Sequence, residues 1–94
     1  MKEHKMKAIL TVIGQDKPGI IAGVSTFLAQ HNVNIEDISQ TILQDKFTMI
    51  MMVNVANCDV EFGTLVAQSE QLGKQIGVAI SIRHEDIFNA MHTI

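Results

Sequence analysis

Ile35-Glu36-Asp37-Ile38-Ser39-Gln40-Thr41-Ile42-Leu43-Gln44-Asp45-Lys46-Phe47-Thr48-Met49-Ile50-Met51-Met52-Val53-Asn54-Val55 holds two strand patterns separated by a short polar turn. In the first, Ile38, Gln40 and Ile42 alternate against Ser39, Thr41 and Leu43, a period of two that belongs to a strand over 35–43. The alternation from Ile35 slips by one at Glu36-Asp37, where a bulge is expected. The second pattern, 47–55, is apolar at nearly every position. With only Gln44-Asp45-Lys46 between them, the two strands form a hairpin.

Outward from this hairpin the pattern is symmetrical. Upstream, Met6 to Ile13 is a β-branched-rich strand ending at Gly14. From Pro18 to Asn32, Ile21, Val24, Leu28 and His31 recur at helical spacing with Ile20 and Phe27 alongside, and Pro18 suits the first helical position. Downstream, Asp59 to Ile76 carries Phe62, Leu65, Val66, Ser69, Leu72 and Ile76 on one stripe, with Asn57 or Asp59 available as cap. Gly77 ends that helix and Val78 to Ile82 forms a fourth strand. The order β-α-β-β-α-β predicts an α+β, ferredoxin-like fold: an antiparallel four-stranded sheet with two helices on one face. A short C-terminal helix is expected over 84–94, from the spacing of Ile87, Met91 and Ile94 beside Phe88.

At 94 residues the chain is expected to be one domain, residues 1–94, with a core over 7–82 and a flexible polar arm over 1–5. Hydrophobic residues make up 47% and charged residues 18%, the balance of a packed chain. Seven basic against ten acidic residues give a net charge of −3, and without a basic cluster there is no footprint for a phosphate backbone, so no nucleic-acid partner is expected. The run Ala8 to Ile13 is too short for a membrane span or a signal segment, and one cysteine, Cys58, closes no internal disulfide; the cytoplasm is the expected location. Strands one and three are apolar on both faces, with Ile9, Ile13, Ile50 and Met52 opposite the core set. The helices cover one face only, so a homodimer or higher homo-oligomer is expected to cover the other.

Because this fold hosts many functions, the residues must choose among them. The first loop, Gly14 to Gly19, has no Cys-x-x-Cys for a metal chaperone. Phe47 is the only strand aromatic, against RNA recognition. The sole arginine, Arg83, ends strand four, which disfavours phosphate-ester hydrolysis. His84-Glu85-Asp86 and His92 lack the His-Glu-x-x-His spacing, and polar helix ends account for them as well as metal ligation does. Cys58 has no base fixed near it in sequence, His31 reads as a helix-end residue, and Met49, Met51 and Met52 read as core and interface filler. No enzyme activity, metal or cofactor is expected.

Asp16-Lys17-Pro18-Gly19-Ile20-Ile21 supports two readings. One is local: a turn built by Asp16 and Gly19 and a proline at the helix start. The other uses the same geometry as a site, where free N–H groups at the helix N-terminus attract a carboxylate, Gly19 allows close approach, and Asp16 accepts an ammonium. Such a pair matches a free amino acid.

On this frame, the Asp16-x-Pro18-Gly19-Ile20 opening of the first helix and Val33-Asn34-Ile35-Glu36-Asp37 at the start of strand two resemble an ACT domain. With Ile38-Ser39-Gln40-Thr41 and the hairpin into Phe47-Thr48-Met49, the chain is similar to the small single-domain ACT proteins of the UPF0237 type. That resemblance implies a non-catalytic regulatory domain that senses an amino acid between two subunits. Asp16, Gly19 and the backbone of Ile20 would come from one chain, and Asn34 and Ile35 from its neighbour. The alternative is a ligand-free protein–protein interaction module that regulates a separate enzyme or transporter, with Phe88 and Met91 of the last helix as docking residues.

Overall fold

A computed structural model describes residues 6–85. Its elements are β1 (Lys7–Gln15), α1 (Ile20–Gln30), β2 (Asn34–Leu43), β3 (Lys46–Asn54), α2 (Phe62–Ile76) and β4 (Val78–His84). The sheet runs β2-β3-β1-β4 with every neighbouring pair antiparallel, which is the expected ferredoxin-like split βαβ. The arm over 1–5 lies outside the described residues. Of the expected last helix, His84 is the final residue of β4, and 86–94, with Phe88 and Met91, also lie outside them.

The core follows from the alternation on the two central strands. Leu10 stands opposite Met51 and Val12 opposite Met49, while β4 brings Ile82 and Ile80 to the same two rows. These side chains are buried with Ile20, Val24 and Leu28 of α1 and Leu65 of α2, so both helices lie on one face. The α1 stripe is Ile20, Val24 and Leu28 rather than one led by Ile21, which is exposed. Spacing alone could not choose between two adjacent isoleucines. The other face carries Ile9, Ile13, Ile50 and Met52, with Ile13 52% and Ile50 42% exposed. Among the described residues no helix is long and apolar enough to cross a membrane.

Helix boundaries differ from the sequence expectation at both N-termini. Gly19 is the N-cap of α1 at φ 90°, a left-handed conformation that admits no helical turn through it, so Pro18 is left in the preceding turn and the helix starts at Ile20. The helix α2 starts at Phe62 behind an extended Glu61 whose side chain makes no cap. Neither expected cap stands at the helix start, which is Glu61: Asp59 lies two residues before it with its carboxylate 2.8 Å from His31 Nδ1, and the Asn57 main-chain carbonyl accepts from Asn32 Nδ2 at 3.0 Å. At its other end α2 stops as expected at Gly77, with φ 92° and its N–H donating to the Gly73 carbonyl at 2.7 Å.

Close packing of α2 on β4 depends on Gly73. A Cβ there would lie 2.6 Å from the Val78 carbonyl oxygen, a backbone atom that cannot turn aside. Gly63, in the first turn of the same helix, has nothing within 4 Å of such an atom. The two substitutions are therefore expected to act with opposite sign. Gly73→Ala should destabilise by about 1–3 kcal/mol through overpacking, and Gly63→Ala should stabilise by about 0.5–1 kcal/mol through the helix preference of alanine. Thermal unfolding followed by circular dichroism would read both as shifts of several degrees.

Candidate functional site

The β1–α1 loop is built by three constraints that act together. Gln15 Nε2 donates to Asp45 Oδ2 at 3.2 Å and the Asp16 N–H donates to the Asp45 carbonyl at 2.8 Å, so the hairpin turn is tied to the end of β1. The turn itself needs a left-handed residue, which is Gln44 at φ 60°. Lys17 then reaches the other way and donates from Nζ to the Ile76 carbonyl at 3.1 Å, where the last carbonyls of α2 carry partial negative charge. Held at both sides, Pro18-Gly19 aims the start of α1 at the space above β2.

That space is a cleft of about 210 Å³ lined by Asp16, Lys17, Gly19, Ile20, Gln40 and Ile42, with Phe47 as its buried floor. The first intrahelical bond runs from the Gly23 N–H to the Gly19 carbonyl at 2.9 Å. The preceding N–H groups, of Ile20, Ile21 and Ala22, receive no side-chain cap, and all three residues line the cleft. An added Cβ at Gly19 would meet nothing within 4 Å, so glycine is required there by its φ and not by space. Charge is divided within the loop: the Lys17 ammonium is engaged by α2, whereas Asp16 has no side-chain partner among the described residues.

Three of the five residues expected at a site thus meet in one cleft: Asp16, Gly19 and Ile20. Asn34 and Ile35 do not join them. They lie at the far end of β2, roughly 20 Å from Gln40 at a rise of about 3.3 Å per residue. Asn34 is exposed opposite Asn54, and Ile35 is half-buried against the core opposite Val53. Gln40 and Ile42 were not anticipated as lining residues. The clue to them was the short hairpin turn, which sets Leu43 opposite Lys46 and so Ile42 opposite Phe47 and Gln40 opposite Met49.

The bulge falls where expected, with the register shifting between Ile35 and Asp37. Glu36 is the extra residue, and its carboxylate accepts from Lys7 Nζ on β1 and, at 3.4 Å, from Asn54 Nδ2 on β3. The hydrogen bond that Lys7 donates to Glu36, with the charges of Glu36 and Glu85, holds the Lys7 ammonium above its usual pKa against an opposing desolvation.

The remaining candidates have structural partners. His31 is the C-cap of α1; its ring packs edge-on to Phe27 at 4.9 Å and bonds Asp59. His84 stacks on Phe62 at 4.1 Å. Cys58 is half-buried at the rim of the core, and Met49 and Met51 are fully buried within it. Among the described residues no three His, Cys, Asp or Glu side chains are grouped to hold a metal, and Asp86 and His92 lie outside them. A larger groove, of about 590 Å³, runs between α1 and α2 past Phe27, Gln30, Gln68, Gln71, Leu72 and Gln75. It is open and carries no charged lining residue, so it has nothing to hold a zwitterion.

Comparison with known proteins places this geometry. The ACT domain pattern matches residues 7–83. A UPF0237 protein of Bifidobacterium longum is 56% identical over 88 residues, covering 94% of this chain and 98% of the relative. One from Methanopyrus kandleri is 49% identical with the same coverage. An ACT domain protein structure from Streptococcus pneumoniae superposes with a TM-score of 0.80 at 44% identity, covering 90% of this chain and 96% of that one. The chain belongs to the ACT domain family, and within it to the UPF0237 proteins.

Proposed function

We propose that this protein is a non-catalytic regulator that binds a free amino acid at an interface between two copies of itself. ACT domains are small-molecule-binding regulatory modules, and the observation that carries the finer reading is the composition of the cleft. A carboxylate with no side-chain partner among the described residues, Asp16, stands beside the uncapped N-terminus of α1. The helix end favours a carboxylate and Asp16 favours an ammonium, so together they favour both groups of an amino acid at once. Lys17 is held at the end of α2, where its Nζ donates to the Ile76 carbonyl.

Two copies are invoked for two reasons. Asn34 and Ile35 are too far along β2 to reach the cleft of their own chain, but in a two-fold pair the neighbour's could complete it. The sheet face bearing Ile13, Ile50 and Met52 is apolar and has no helix over it among the described residues, and such a face gains by being covered. A ligand held by both chains stabilises the pair by its differential affinity, and a separate enzyme or transporter that distinguishes the liganded from the unliganded pair reads its occupancy. The uncharged groove between α1 and α2 favours the second reading, in which the same pair is unliganded and docks that enzyme or transporter directly.

Thermal unfolding against a panel of free amino acids at millimolar concentration separates the two readings. A ligand at a hundred times its dissociation constant should add about 2.7 kcal/mol, and the shift should vanish in Asp16→Ala and in Asn34→Ala. No shift with any amino acid leaves the docking module as the reading. A shared site makes a further demand. When equal amounts of Asp16→Ala and Asn34→Ala chains are mixed and re-pair at random, about half of the dimers should be heterodimers, each with one site carrying both changes and one intact, so calorimetry should recover about a quarter of all sites. Recovery of none would remove the shared site.

A further inference from the structure

The edge strand β2 has no buried residue along its length, and only Ile35 is half-buried. Burial therefore does little to choose its register, and a strand of this kind is prone to slip. Its two ends are held instead. At the hairpin end, Leu43 lies opposite Lys46 and the turn is bonded to Asp16, which places Ile42 opposite Phe47 and Gln40 opposite Met49. If that register ran on unbroken, Ile38 opposite Met51 and Asp37 opposite Met52 would be followed by Glu36 opposite Val53. Val53 is fully buried beneath the helices. The bulge avoids this by making Glu36 the extra residue in the register, and it puts Ile35 opposite Val53 and Asn34 opposite Asn54.

Once displaced from the core row, the Glu36 carboxylate is caught by groups from two other strands, Lys7 of β1 and Asn54 of β3. Lys7, Asn54 and Asn34 form one row across the three strands. We propose that Glu36 is the positioning residue of β2: its clamp on Lys7 and Asn54 holds the bulge, and the bulge decides how Asn34 and Ile35 are presented. The consequence for binding rests on the reading above, in which Asn34 and Ile35 complete a neighbour's cleft. The register itself is a property of the single chain and is tested separately.

Glu36→Val removes the carboxylate and makes position 36 acceptable opposite Val53, whereas Glu36→Gln keeps an oxygen for Lys7 and remains polar. Cross-strand NMR contacts between β2 and β3 are the readout. Glu36→Gln should keep Ile35 opposite Val53. In Glu36→Val, residues 34–36 should move by one position relative to β3 while 38–43 stay in place, and any amino-acid-induced melting shift of the unaltered protein should be lost. Ile35 remaining opposite Val53 in Glu36→Val would overturn the proposal.

Should Glu36→Val fail to fold, Lys7→Met tests the clamp without placing an apolar residue at the bulge. Amide exchange at 34–37 should then rise about tenfold relative to 38–43, the size of an ordinary coupling between contacting residues; unchanged exchange would overturn the proposal. If no amino acid shifts the unaltered protein, the shared-site reading fails, and the register contacts and exchange alone decide the role of Glu36.

Discussion

The antiparallel pairing of β1 with β3 carries the rest of the molecule. Leu10 faces Met51 and Val12 faces Met49 across it, and these fully buried rows are the surface on which both helices rest. Each helix contributes a narrow stripe, Ile20-Val24-Leu28 and Leu65-Ser69-Gly73, and each stripe is meaningful only against that central pair. Where α2 turns into β4 the approach is close enough that a glycine replaces a side chain at position 73. Ser69, the one buried polar residue among those described, is satisfied locally by donating to the Val66 carbonyl at 2.7 Å. The core therefore carries no unpaired polar group that a ligand would need to satisfy.

The candidate site arises where this core meets its connections. A loop that leaves the central strand β1 must cross to the helix layer within four residues, and it does so through Pro18 and a left-handed Gly19. That crossing leaves the first N–H groups of α1 without a cap and facing outward, a cost in helix stability that the bonds from Asp16 to Asp45 and from Lys17 to Ile76 help to offset by fixing the loop. The same backbone conformation thus makes the turn and creates the anion-attracting end.

Edge strand β2 is governed differently. It is exposed on both faces, so its side-chain directions come from its ends, through the hairpin turn and the Glu36 bulge, rather than from burial. The cleft takes Gln40 and Ile42 from the hairpin end, while Asn34 and Ile35 are delivered at the other end. Two parts of one strand can therefore serve two different clefts, provided that a second chain is present.

Much of this was legible in the residues. Period-two and helical spacing gave the order of all six elements, the slip at Glu36-Asp37 marked the bulge, and Gly77 marked the end of α2, because each depends on near neighbours in sequence. The helix starts at Ile20 and Phe62 were not legible. The first depends on a left-handed Gly19, and the second on the chain staying extended through Glu61. Asp16, Gly19 and Ile20 could be named as one group since they are nearly contiguous. Their union with Gln40, Ile42 and Phe47, the separation of Asn34 from them, and the hold of Lys7 on Glu36 were decided only by tertiary structure, because side chains distant in sequence meet only through strand pairing and packing.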